Sequence, residues 1–177
     1  MKIFYDVDTQ NDFMNKNGAL YVPGAEDIIS NVLTLTNYAR KNGINVFGSL
    51  DAHTKDDPEF KIFPPHCVVG TRGQEKINPA TRGEIYFEKQ HYDVFTNPLV
   101  EVTLKEDGVK EAVVYGVATD FCVKAAVLGM QKRGIQTYVV KDAIRGVFPD
   151  KTQEGLEEMA QAGARFVTTK QILEDKL

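Results

Sequence analysis

The sequence predicts an α/β fold, a three-layer αβα sandwich built on a mainly parallel sheet of roughly six strands. Two observations carry this. Short apolar runs alternate with amphipathic helical stretches along all 177 residues, with no repeat, linker or low-complexity tract between them. Such alternation implies βαβ crossovers, which place helices on both faces of a parallel sheet. Polar residues also recur where apolar runs end, and ligand sites of such folds lie beyond the carboxyl ends of the strands.

The elements follow in order. "KIFYDVD" (2–8) reads as the first strand. In 27–43, Ile28, Val32, Leu35 and Ala39 share one helical face, and Gly43 is the stop. "INVFGSL" (44–50) is a second strand. Residues 51–83 hold most of the prolines and have no clear period, so they are expected to be irregular. A compact domain rarely keeps so long a segment irregular without a functional reason. "EIYFEK" (84–89) is a short strand, 98–106 a helix, and "EAVVYGV" (111–117) a buried strand. A helix over 120–134 closes at Gly134, followed by strand 135–140, helix 151–163, strand 165–169 and a short terminal helix. The whole chain, 1–177, is read as one domain, a size that supports a real core.

Composition narrows the function. A net charge of −4 and no dense basic run argue against a nucleic-acid partner. No apolar stretch approaches the roughly 20 residues of a membrane span. The N-terminus, interrupted by Asp6 and Asp8, lacks a signal peptide's apolar core, so a cytoplasmic protein is expected. Two cysteines are too few for a disulfide framework, and free thiols are expected.

Cys122 stands at the start of a helix, after the strand ending in Ala118. If Thr119 or Asp120 caps that helix, the thiol sits in its first turn. The helix dipole would then lower its pKa, and unpaired N–H groups would face a developing oxyanion. The competing reading is a buried small hydrophobe, the commonest role of free cysteine. A thiol nucleophile needs a base, and Asp8 and Lys89, each at a strand end, are the candidates for base and cation. Taken singly, Asp8 also fits a loop cap and Lys89 a solvated strand end.

A second cluster lies in "SLDAHTKDDPEFKIFPPH". Asp51 and His53, two apart on an extended segment, point the same way, and Glu59 and His66 follow in the same loop. Two imidazoles with one or two carboxylates and no thiolate suit a divalent metal: zinc, iron or manganese. So few ligands leave positions open, as catalytic rather than structural sites do. The other reading is a polar surface loop. Cys67 adjoins His66 but points the opposite way and is not expected to ligate. His91 has no comparable partner and is read as structural.

Four separated motifs, spread over nearly the whole chain, resemble the isochorismatase-like cysteine hydrolases, and within them the nicotinamidase (pyrazinamidase) subgroup. "DTQNDF" (8–13) is similar to the family's opening motif, whose first Asp is the general base. "DAH" (51–53) with "FPPHCVVGT" (63–71) resembles its metal-binding stretch, and "EK" (88–89) falls where it keeps an active-site lysine. "GVATDFCV" (116–123) resembles its nucleophile motif.

The resemblance implies Asp8, Lys89 and Cys122 as catalytic residues, and Asp51, His53, Glu59 and His66 as ligands of one divalent ion, zinc before iron or manganese. It implies a cis peptide at Val117–Ala118, with the N–H groups of Ala118 and Cys122 as the oxyanion hole. It further implies an isochorismatase-like hydrolase fold, hydrolysis of nicotinamide in NAD salvage, activity on pyrazinamide, and a homo-oligomer. Phe13, Phe63 and Tyr92 would form the apolar floor for a small flat ring. Thr9 stands where valine or isoleucine is usual, and Phe63 where many nicotinamidases carry tryptophan. Another small heteroaromatic carboxamide is the alternative substrate, and a non-catalytic ligand-binding module the alternative class.

Overall fold

A computed structural model of the chain describes residues 1–78 and 84–175. Six parallel strands form one sheet in the order β3-β2-β1-β4-β5-β6. The first half runs β1 (Lys2–Val7), α1 (Asn11–Met14), α2 (Ile29–Lys41), β2 (Val46–Asp51) and β3 (Ile85–Lys89). The second runs α3 (Pro98–Glu106), β4 (Glu111–Val117), α4 (Lys124–Lys132), β5 (Gln136–Arg145), α5 (Pro149–Gln161), β6 (Arg165–Val167) and α6 (Thr169–Leu173).

Period-two alternation divides the core. Ile3, Tyr5 and Val7 of β1 face one layer, where Val100 and Leu104 of α3, Ala126, Val127 and Met130 of α4, and Met159 of α5 cover the sheet. Phe4 faces the other layer, packed with Val32, Leu35 and Ala39 of α2 and Ile172 of α6. Both faces being covered, β4 reads as a nearly continuous apolar run and is buried from Ala112 to Val117.

The chain builds outward from β1 through β2 to β3, then returns to place β4 on β1's other side. The β1/β4 border is therefore the switch point of the sheet, where a crevice opens beyond the carboxyl ends. At that end β4 pairs irregularly with β5, and Gly116 adopts φ 121°. A Cβ there would stand 2.0 Å from the Val7 carbonyl oxygen, so only glycine lets the strands approach. The Val117–Ala118 peptide that follows is cis.

Three expectations change. The helix expected from 120 opens as a π-helical turn, Thr119–Val123, and becomes α-helical only at Lys124. The strand expected over 135–140 continues to Arg145. The segment expected to be irregular carries a 3₁₀ turn, Pro58–Lys61, and two isolated bridges, His53 to Val68 and Gln10 to Lys76. Its last residues, 79–83, lie outside the described residues.

Candidate active site

The switch point gathers four groups from four strand ends. Asp8 leaves β1 in a left-handed conformation, φ 46°, which aspartate tolerates better than most residues. Its Oδ1 accepts a 2.6 Å bond from Ser49 Oγ, and its Oδ2 lies 2.8 Å from Lys89 Nζ. Lys89 ends β3 in register with Asp51 at the end of β2, so the two side chains share a face and form an ion pair. Lys89 Nζ also donates to Cys122 Sγ at 3.4 Å. Ligand atoms of Asp8, Asp51 and Cys122 all lie within 4.8 Å of one another.

All four are buried, and burial sets their titration. Burial works against the Lys89 ammonium, but Asp8, Cys122 and Asp51 hold its pKa well above the ordinary value. Burial pushes the Asp8 carboxyl up; Lys89 opposes the push and Asp51 adds to it. Burial also pushes Asp51 up, but the Lys89 charge and a contribution from His53 outweigh it and leave it low. Burial, with the carboxylates of Asp8 and Asp51 behind it, drives the Cys122 thiol well up against the pull of Lys89. The expected dipole-lowered thiolate is therefore corrected to a neutral resting thiol beside a proton acceptor.

The expected capping is corrected too. Ala118 is the N-cap of the turn, with no side-chain cap, and Asp120 is turned elsewhere. The Ala118 carbonyl accepts the N–H groups of Phe121 and Val123, at 3.0 and 3.1 Å, and passes over that of Cys122.

Beside this cluster, Asp51, His53 and His66 converge within 4.8 Å, all buried. The imidazole Nε2 atoms of His53 and His66 lie 3.8 and 3.9 Å from Asp51 Oδ2 and have no hydrogen-bond partner. His66 Nδ1 donates to the Pro64 carbonyl at 2.9 Å, which leaves its Nε2 lone pair directed into the trio. His53 Nδ1 is held by Asp57 Oδ2 at 3.0 Å. Two oriented imidazoles with orphaned nitrogens and one carboxylate fit a divalent metal ion with open positions. Burial pulls His53 down, but Asp51 and Asp57 outweigh it and hold its pKa at about 9.

A cavity of about 190 Å³ connects the two groups; its wall includes Asp8, Cys122, Asp51 and His66. The rest is mostly apolar: Phe13, Leu20, Val22, Phe63, Tyr92, Val117, Phe121, Val147 and Phe148 are among its lining residues. It can hold a small flat molecule with one end at the thiol and the other toward His66.

Residues 6–171 match the Isochorismatase domain. The chain belongs to the isochorismatase family. It is 28% identical to the nicotinamidase/pyrazinamidase of Mycobacterium tuberculosis, over 94% of this chain and 98% of the relative. It is 27% identical to the nicotinamidase of Escherichia coli, over 92% of each. A crystal structure of the Pyrococcus horikoshii pyrazinamidase in complex with zinc superposes with a TM-score of 0.88 at 30% identity, over 94% of this chain and 98% of that one. Within the isochorismatase family, the similarities thus run to the nicotinamidase and pyrazinamidase subgroup.

The structure places the remaining sequence candidates as follows. Phe13, Phe63 and Tyr92 all line the cavity, Tyr92 being 43% exposed at its mouth. Glu59 lines it as well, but clusters with His53 and Asp57 rather than with the Asp51, His53 and His66 trio. Cys67 is fully buried, in the hydrophobic cluster that also holds Phe13 and Met14 of α1. His91, expected to be structural, is exposed and lines a separate polar cleft with Glu88 and Gln90.

Sequence reasoning missed Ser49, Asp57, Gln10 and the Leu20–Val22 wall. Asp57 had a readable signal: it stands four residues after His53, before Pro58, and its carboxylate caps the 3₁₀ turn through Glu59 N–H. Gln10 gave none. Its buried amide donates to the Asp51 and Gln74 carbonyls and accepts from Asp51 N–H, tying β1's exit to the metal-ligand candidate.

Proposed function

We propose that the protein is a cysteine amidohydrolase that converts nicotinamide and water into nicotinate and ammonia, as a step of NAD salvage, and that also accepts pyrazinamide. One observation carries the reading: Cys122 Sγ, 3.4 Å from Lys89 Nζ and within 4.8 Å of the Asp8 carboxylate, opens onto a mostly apolar cavity that His66 and Asp51 also line, with the partnerless imidazole of His53 grouped beside them. A ligand-binding module has no use for a base, a cation and a thiol so assembled. The activities of the relatives support the same substrate class.

In the proposed cycle Asp8 takes the Cys122 proton as sulfur bonds to the carboxamide carbon. The thiol is neutral at rest, so proton transfer accompanies attack. The N–H groups of Ala118 and Cys122 receive the oxyanion, a contribution of about 2.7–4 kcal/mol for each preorganised donor. Asp8 returns the proton to nitrogen, the C–N bond breaks, and ammonia leaves a thioester. Water then attacks with Asp8 taking its proton, the C–S bond breaks, and the proton returns to sulfur. Lys89 holds Asp8 in place and balances the buried anions.

Asp51, His53 and His66 would hold the metal ion, zinc by the chemistry of the donors, with Glu59 at its edge. When bound, it supplies an electrophilic site for the ring nitrogen. Phe13 and Phe63 would flank the ring, with Tyr92 above. The test is ammonia release from a panel of aromatic carboxamides, with metal analysis of the same sample. Nicotinamide and pyrazinamide should lead the panel. Preference for a different heteroaromatic amide would transfer the assignment to it, and no release from any would refute it.

A further inference from the structure

The residue before Phe121 and Cys122 in the nucleophile turn has a partner outside that turn. Asp120 is 6% exposed, and both carboxylate oxygens are committed to one short stretch of backbone. Oδ1 accepts the Val147 N–H at 3.0 Å, and Oδ2 accepts the Phe148 N–H at 2.9 Å. Val147 and Phe148 lie in the connection from β5 to α5, and both line the cavity. Phe148 is also the N-cap residue of α5, with no side-chain cap of its own. A carboxylate at that end of a 13-residue helix is favourably placed against its dipole.

The Phe148 carbonyl also accepts the Thr152 N–H at 2.8 Å, and Lys151 Nζ lies 5.0 Å from the centroid of the Phe148 ring. Phe148 is 48% exposed, and its ring meets Phe121 edge-on at 6.2 Å between centroids. Phe121 in turn packs on Tyr92 at 5.1 Å. All three rings line the cavity, as do Phe13 and His66. Position 146 has no room for a side chain, since a Cβ on Gly146 would stand 1.9 Å from Thr152 Oγ1. The N–H groups of the next two residues are both held by the Asp120 carboxylate.

We infer that Asp120 is the positioning residue of the ring-binding wall: it sets where Val147 and Phe148 stand relative to Cys122, and Phe148 is a specificity-determining residue for aromatic amides. The inference rests on the reading of this cavity as the substrate site. Asparagine cannot replace Asp120, because it offers one acceptor oxygen and turns an N–H₂ toward a backbone N–H. Hydrogen bonds to a charged group are among the stronger ones, and the loss of one should be felt by ring binding rather than by the chemical step.

The experiment is steady-state ammonia release from nicotinamide by wild type, Asp120→Asn, Phe148→Ala and the double variant. Asp120→Asn and Phe148→Ala should each raise KM about tenfold with kcat changed much less. If Asp120 acts through Phe148, the double variant should be little worse than Phe148→Ala alone. Full additivity, or a loss confined to kcat, would overturn the inference. Phe148→Ala removes a half-exposed side chain and should fold, so an unchanged KM in it overturns the inference even if Asp120→Asn does not fold.

A second readout is independent of turnover: site-resolved mass spectrometry of Cys122 alkylation by N-phenylmaleimide relative to iodoacetamide. The ratio should rise several-fold in the variants as the wall loosens, and an unchanged ratio refutes the wall's role. No ammonia from any amide with wild type would sink the substrate reading and leave the alkylation ratio to decide this one.

Discussion

Replacing Lys89 by methionine keeps most of the side chain's volume and removes its charge. In the native protein that charge is fully enclosed, paired to Asp8 at 2.8 Å and to Asp51, with Cys122 Sγ at 3.4 Å. Breaking a buried pair by deleting one partner costs about 3–5 kcal/mol, because the other partner is left charged and desolvated. Here two carboxylates are left, so the loss at pH 7 should reach the upper part of that range.

The deficit should depend on pH with a definite sign. Burial and Asp51 already push the Asp8 pKa upward, and Lys89 is the first group opposing them. Without it, Asp8 titrates in the fold well above the ordinary value of about 3.9 for an unfolded chain. The folded variant then binds more protons than the unfolded one between those two values. Its stability rises as pH falls through the folded pKa, so the deficit shrinks from pH 7 to pH 5. Without Lys89 a larger share of Asp8 is protonated at any given pH, and a protonated carboxyl accepts nothing from Cys122, so kcat should fall, by about 100-fold where the base is lost. Urea unfolding at both pH values, beside ammonia release, measures all of this. A loss under about 1 kcal/mol, the size of a surface pair, or an equal loss at the two pH values, would refute the argument.

Three further outcomes are expected. Cys122→Ala should abolish ammonia release with the fold intact, while Cys67→Ala, a small change in the core, should keep most activity; substantial hydrolysis by Cys122→Ala would remove the nucleophile assignment. With His53 held at about 9, metal binding must displace a proton, so affinity should fall about tenfold per pH unit below that value. Titration calorimetry in two buffers of different ionisation enthalpy reads that proton, and pH-independent affinity would contradict the ligand set. His53→Ala should raise KM for nicotinamide far more than for benzamide, which lacks the ring nitrogen; equal weakening of both would mean that the metal does not read that nitrogen.

Much of the fold, and which residues meet in the candidate site, could be read from the chain, because both rest on local patterns. Apolar alternation placed Asp8, Asp51 and Lys89 at strand ends, and parallel topology makes strand ends meet. The residues that could not be read are those defined by contacts distant in sequence. Ser49 looks like an ordinary strand residue, and only the β1/β2 pairing puts its hydroxyl on Asp8. Asp120 looks like a helix cap for its own turn, and serves a connection 27 residues further on. The thiol's protonation was misjudged for the same reason. A helix start lowers a thiol pKa locally, whereas full burial beside two carboxylates depends on β1 and β2 arriving from elsewhere.

The strand order explains why one lysine serves both groups of the site. Asp51 and Lys89 are direct neighbours in register, and Asp8 lies one strand further in, past Ser49. Cys122 enters from β4, on the other side of β1. Asp8 and Asp51 therefore stand on either side of one ammonium, Asp8 facing the thiol and Asp51 facing the imidazoles. A cation of shorter reach would leave one of the two carboxylates without its direct partner in a buried site. Lys89→Arg tests this point, because a planar guanidinium cannot take the same compact position between two carboxylates and a sulfur. Retained charge with lost activity would place the requirement in the shape of the ammonium site, and full activity would show that charge alone suffices.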